Sequence, residues 1–200
     1  MAHQKINSNP NPTIMKKSAF ILALTLLVFG ISVQKIQAQK YIDRNGTLIF
    51  EASEELFEPV KATNEAVTML LDTNTNEIAA LALMKGFRFK NSLMEEHFNE
   101  NYIESETYPK ATFKGKLLDF DTSNLSTENT EIIVEGILKL HGKEKEIRTP
   151  LTVKKYEDII WITGSFKVTP QDFDISIPKI VQNKIAKQII IDLEFKLSKK

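Results

Sequence analysis

A chain of 200 residues with 42% hydrophobic and 26% charged side chains has the material for one sizeable core and little left for a second large domain. Its 26 basic and 26 acidic side chains cancel, so no basic excess marks a nucleic-acid partner. Cysteine is absent, which excludes disulfides, thiol catalysis, cysteine-bound metal and a lipid-modified N-terminal cysteine.

Met15-Lys16-Lys17, an apolar run from Ala19 to Val33 and the small residue Ala38 form the pattern of a signal peptide: a basic start, a short apolar core and a processing site. Thr25, Gly30 and Ser32 interrupt the run and weigh against a retained membrane anchor. Residues 1–38 are therefore expected to be leader and signal peptide, cleaved near Ala38, and residues 39–200 the folded domain. The expected location is periplasmic or secreted, with no stable membrane insertion after processing. Removing the leader takes away four lysines and leaves 22 basic against 26 acidic side chains.

From Thr47 onward the hydrophobic period is two, which predicts strands. They fall at Thr47 to Ala52, Ala66 to Asp72, Glu77 to Lys90 with Leu81, Leu83, Phe87 and Phe89 on one face, and Thr112 to Phe120. Others are centred on Ile132 to Leu140, Ile147 to Val153, Ile159 to Val168 and Gln188 to Leu197. Glu54 to Glu65, with Pro59, reads as a loop. A helix is predicted only over Ser92 to Tyr102, with Ser92 as its cap, and a helical turn after Pro170. Short polar turns such as Asp72 to Asn76 and His141 to Glu144 make neighbouring strands antiparallel. Eight amphipathic strands bury one face each most completely by closing, so the predicted fold is all-β: a closed antiparallel eight-stranded barrel with one short helix between strands.

A barrel of about eight strands is either filled by its own side chains or holds one small ligand. Parity assigns Phe87, Phe89, Phe113, Leu117, Val134, Leu138, Leu140, Leu151, Ile162, Phe166, Ile191, Leu193 and Phe195 to the inner wall. Gly115, Gly136 and Gly164 share that inward parity. They either turn barrel corners or open a slot for a long, thin ligand. Trp161 has outward parity and is expected to pack under a loop or helix.

Residues for chemistry are scarce. His97 stands among Glu95, Glu96 and Glu100, but no second histidine follows at metal-binding spacing, and no metal is expected there. His141 falls at a hairpin turn. No serine lies in a nucleophile-elbow context, no glycine-rich phosphate loop occurs, and no cofactor is expected.

Glu96-His97-Phe98, then Glu104 to Lys114 containing Tyr108-Pro109 and Phe113, then Gly136-Ile137-Leu138-Lys139-Leu140-His141-Gly142 running on to Ile147 resemble the YceI-like family in order and spacing. Asp172-Phe173-Asp174-Ile175 before the closing strand resembles the family's ending, whereas the family's histidine-containing segment is not recognisable in Glu54 to Glu65. The resemblance singles out His97, Tyr108, Pro109, Gly136, His141 and Gly142. It implies an exported lipocalin-like barrel that holds a long-chain apolar lipid of polyisoprenoid, quinone or fatty-acid type, and that is not an enzyme. The alternative is a non-catalytic structural, stress or inhibitor protein with a filled core.

Overall fold

A computed structural model describes residues 39–54 and 56–200. The leader expected over 1–38 lies outside them. The strands are β1 (Lys40–Ser53), β2 (Lys61–Asp72), β3 (Glu77–Leu83), β4 (Arg88–Phe89), β5 (Lys110–Leu117), β6 (Thr130–Leu140), β7 (Lys143–Tyr156), β8 (Ile159–Val168) and β9 (Ile185–Lys199). A helix, α1 (Ser92–His97), runs into a π turn at Phe98–Tyr102. All pairings are antiparallel between chain neighbours, β4 aside, and β1 pairs with both β2 and β9. The first and last strands thus close an eight-staved barrel with no free edge, as the alternation predicts.

β3 and β4 are two pieces of one stave: β3 pairs with β2 over Thr68 to Asp72, and β4 pairs with the start of β2 at Ala62 and Thr63. The 3₁₀ turn Met84–Gly86 separates them and shifts the inward parity. Before it Ile78 and Ala82 are buried, within it Met84, and after it Phe87. Leu81 and Leu83, expected to share a face with Phe87 and Phe89, are therefore on the outside, at 36% and 55% exposure. A strand of period two cannot carry parity across a turn of period three.

Three other boundaries move for local reasons. β2 begins at Lys61, inside the expected loop, because the inward residue there is polar. Asn64 is buried, donates from Nδ2 to the Leu83 carbonyl at 3.0 Å and accepts from the Ala66 N–H at 3.0 Å, so its polar groups are paired inside. β1 starts at Lys40, ahead of Thr47, and irregular register between Asp43 and Gly46 hides the alternation. The helix is capped by Asn91, not Ser92: its side chain accepts from the Leu93 N–H at 3.0 Å and the Met94 N–H at 3.4 Å. The helical turn expected after Pro170 is a 3₁₀ turn over Pro170–Phe173.

Trp161 faces outward, as its parity predicts, and is half-buried. Its cross-strand neighbours Lys154 and Lys196 place their ammonium groups 5.1 and 4.5 Å from its ring centroid, so a cation from each flanking strand reaches the indole.

Inside, one end of the barrel is solid. Val67, Leu71, Leu117, Val153, Ile160, Ile162, Phe195 and Leu197 are buried there with essentially no exposure. Phe120 and Leu125, from the β5–β6 connection, cover this end; Asn76 Nδ2 fixes the cover by donating to the Phe120 carbonyl at 2.7 Å.

Candidate functional site

The other end is hollow. A cavity of about 440 Å³ lies between β1, β3, β5, β6, β8 and β9 and the segments that cover them. Phe87, Phe89, Leu138, Leu140, Phe166 and Ile191, assigned inward by parity, border it. Phe113, Leu117, Val134, Leu151, Ile162, Leu193 and Phe195 do not; they pack in or against the solid core. Parity gives the face of a residue and not its height along the barrel axis, so one inward stripe supplies both the filling and the wall.

Alanine makes the hollow. Ala52, Ala82 and Ala111 take inward positions on β1, β3 and β5 at the cavity, where the solid end has Leu, Ile, Val and Phe. The inward glycines do not contribute. Gly115 and Gly136 pair directly across β5 and β6, and the Phe113 ring lies over both, where a methyl group on either would collide with it and with the neighbouring backbone. The Leu151 side chain covers Gly164 in the same way. These glycines permit close packing at the edge of the solid core and form no slot.

One wall is aromatic. The Phe50 ring lies 5.5 Å from Phe87, 5.4 Å from Phe89 and 5.2 Å from Phe98, centroid to centroid, the last pair stacked at 24°. Phe98 comes from the π turn, so the helical segment closes the wall that β1 and β4 begin. Glu95 ties it down, pairing with Arg88 at 3.0 Å and accepting the Phe89 N–H at 3.1 Å. Met94, Tyr102 and Ile103 complete that side. Phe173 and Ile175, from the stretch between β8 and β9, form another part of the lining and are almost fully buried. Sequence periodicity misses these residues because they lie outside strands. The short run of apolar positions at Phe173, Ile175 and Ile177 is the signal that would have found part of them.

His141 holds that stretch in place. It and Gly142 make the two-residue turn between β6 and β7, both with positive φ, at 49° and 74°. The expected turn is shorter than His141 to Glu144, since Lys143 already belongs to β7. The His141 ring donates from Nδ1 to the Phe173 carbonyl at 2.9 Å, has Nε2 3.1 Å from a Glu104 carboxylate oxygen, and packs 4.4 Å from the Tyr108 ring. Pro109 accepts the Met84 N–H at 2.9 Å, anchoring the 3₁₀ turn beside the cavity. Lys143 and Asp174 pair at 2.7 Å on the same stretch. The hydrogen bond and charge of Lys143 hold the Asp174 carboxyl below its ordinary value, and Asp174 raises Lys143 in return.

Besides the Tyr102 phenol, the ionisable side chains on the lining are Glu58, His97 and Lys184, all three exposed and on segments outside the strands. Lys184 reaches over the Phe57 ring at 5.9 Å, linking the β1–β2 connection to the approach to β9. Leu56 and Ile180, 91% and 85% exposed, project from these two rim segments. No group of three or more potential metal-ligating side chains occurs among the described residues, His97 and its neighbouring glutamates included.

A profile of the YceI-like domain matches residues 40–197. No curated protein matches the sequence. Among solved structures, a polyisoprenoid binding domain from Saccharophagus degradans implicated in plant cell wall breakdown superposes with a TM-score of 0.70 at 16% identity, over 82% of this chain and 100% of that one. Burkholderia cenocepacia BcnA gives 0.62 at 14% identity, over 76% and 96%. An engineered Campylobacter jejuni YceI protein gives 0.54 at 14% identity, over 72% and 86%. At these identities the likeness speaks for the fold.

Proposed function

The chain belongs to the family of YceI-like domains, and on that premise we propose that it is a non-catalytic lipid carrier that holds a long-chain apolar lipid in the hollow end of its barrel and works outside the cytoplasm. The observation that carries this reading is the cavity itself: a hollow of about 440 Å³ lined by apolar side chains, with Tyr102 and the exposed Glu58, His97 and Lys184 as the exceptions. Apolar surface there gains about 0.8 kcal/mol for each methylene it removes from water, and a hydrocarbon needs no polar partners along its length. The polyisoprenoid-binding domain of the same fold supports the assignment of a lipid to this place. A core filled throughout is disfavoured, because only one end is filled.

Export rests on Lys16-Lys17, the apolar run that follows and Ala38, with β1 beginning shortly after the proposed cleavage point. The test of carriage is organic extraction of protein purified without detergent, followed by lipid mass spectrometry. A lipid at close to one per protein is expected, and protein that neither carries nor takes up any lipid would sink the reading. For export, the intact mass of protein from the exported fraction is expected to begin near Gln39. Full-length protein retained in carbonate-washed membranes would contradict it.

A further inference from the structure

Two turn tips at the hollow end depart from ordinary turn chemistry. The Phe57 N–H donates to the Glu54 carbonyl at 3.1 Å and the Val181 N–H to the Pro178 carbonyl at 3.0 Å, so Leu56 and Ile180 each take the third position of a four-residue turn. Such positions favour glycine, asparagine, aspartate and serine. Here they carry aliphatic side chains 91% and 85% exposed, well beyond the next large apolar residue, Tyr156 at 58%. At that exposure they add little to the core. The two turns flank one opening: Phe57 and Val181, which follow the tips, both line the cavity, and Lys184 bridges the turns over the Phe57 ring.

Charge is sorted along the barrel as well. From Ile175 to Ile191 the chain has three lysines, Lys179, Lys184 and Lys187, all exposed, and no acidic residue. The solid end has the opposite sign. Its β5–β6 connection carries Asp119, Asp121 and Glu128 with no basic residue between Lys116 and Lys139, and its β7–β8 turn is Glu157-Asp158. Glu54, Glu58, Glu96 and Glu100 lie on other segments of the hollow end, so the side of β9 is the basic side of the mouth.

Exposed aliphatic tips beside lysines suit a bilayer interface, where the aliphatics enter the boundary of headgroups and acyl chains and the lysines reach anionic headgroups. Two points on either side of an opening offer a folded protein little continuous surface, whereas a fluid bilayer adapts to them. We propose that the hollow end docks on an anionic lipid bilayer, with Leu56 and Ile180 entering the interface and Lys179, Lys184 and Lys187 on its headgroups, so that the cavity mouth faces the membrane. The docking surface goes beyond the lipid-carrier reading and holds whatever the cavity contains.

The test is co-sedimentation of protein from the exported fraction with vesicles of equal parts phosphatidylethanolamine and phosphatidylglycerol, and with vesicles of phosphatidylcholine alone. Binding to the anionic vesicles is expected to weaken by at least about tenfold in the Leu56→Ser, Ile180→Ser double variant, which removes both apolar tips from the interface. A loss of about tenfold, confined to the anionic vesicles, is expected for Lys179→Gln with Lys187→Gln. Tyr156→Ser, at the solid end, is expected to bind as the wild type does. Thermal melts check folding, and the single Leu56→Ser and Ile180→Ser variants decide the matter should the pair unfold.

A wild type that ignores anionic vesicles, or tip or lysine variants that bind them undiminished, would overturn the docking surface. Lipid found in the same protein by mass spectrometry would then leave the carrier reading standing. Dimerisation that the tip variants abolish, without vesicle binding, would give the tips to a second copy of the chain and overturn the proposal.

Discussion

At the end of the barrel that carries the β2–β3 and β7–β8 turns, inward positions hold Val67, Leu71, Leu117, Val153, Ile160, Ile162, Phe195 and Leu197, and they leave no room for a guest. At the opposite end the same strands present Ala52, Ala82 and Ala111, and the space they leave is bounded by segments outside the regular strands. Both ends obey one alternation. The solid end closes the barrel through large side chains that meet across the lumen, which stabilises the fold whatever the protein binds. The hollow end gives up that packing and recovers part of it from the cluster of Phe50, Phe87, Phe89 and Phe98 and from Phe173 and Ile175. A barrel divided in this way can hold a ligand without depending on the ligand to fold.

The largest effect expected from that division is at Phe195, which is 1% exposed in the solid end. Phe195→Ala is expected to cost about 3–5 kcal/mol in chemical denaturation, because the cavity left in a rigid core collapses poorly. A loss no greater than that of a phenylalanine at the hollow end would break the comparison. Next comes Gly136→Leu. With the Phe113 ring and the Lys114 carbonyl where the new side chain would start, the variant is expected to lose about 1–3 kcal/mol while its folded fraction still binds lipid. Lipid lost from a fully stable Gly136→Leu variant would restore the slot that the packing around this glycine rules out.

Phe98→Ala sharpens the comparison from the hollow side. Its stacked contact with Phe50 is worth about 0.5–1.5 kcal/mol beyond area burial. The variant is expected to be more stable than Phe195→Ala and yet to change lipid retention, which mass spectrometry of extracted lipid reads directly.

The smallest effect belongs to Asp174→Asn. The ion pair with Lys143 is exposed, so the melting temperature is expected to move little at neutral pH. Its pH dependence has a definite sign. Asp174 titrates lower in the folded state than in the unfolded chain, so its contribution is complete above the unfolded carboxylate range and is lost as pH falls through the depressed folded value. Lys143 is raised, so its contribution is complete below the unfolded lysine range and is lost as pH rises through the raised folded value. A difference between wild type and Asp174→Asn that grows toward acid pH would contradict the pairing.

Much of the architecture was legible because a half-buried strand writes its environment into every second residue. The alternation of Ile189, Ile191, Leu193, Phe195 and Leu197 places β9 on the barrel wall with the correct face inward, and the two-residue turn is visible in His141-Gly142. The reading failed where a local exception interrupts the period: the buried Asn64, the irregular register near Gly46, and the 3₁₀ turn at Met84–Gly86 that turns Leu81 and Leu83 outward. At the site, the inward glycines drew attention as the missing side chains. The relevant small residues were the inward alanines, which in a sequence look like ordinary strand filler.

By itself, then, the sequence determined that this is an all-β barrel, which faces of its strands turn inward outside β3, and which family it resembles. All three depend on patterns local to the chain. Only the tertiary structure decided which inward residues fill the lumen and which enclose a space. Height along a barrel axis follows from the register between strands far apart in sequence, and from where segments such as Phe98–Tyr102 and Pro170–Phe173 fold back over the open end. Phe113 and Leu138 face each other across β5 and β6 with the same parity and both pack against the core, yet only Leu138 borders the hollow, and no periodicity within either strand distinguishes them.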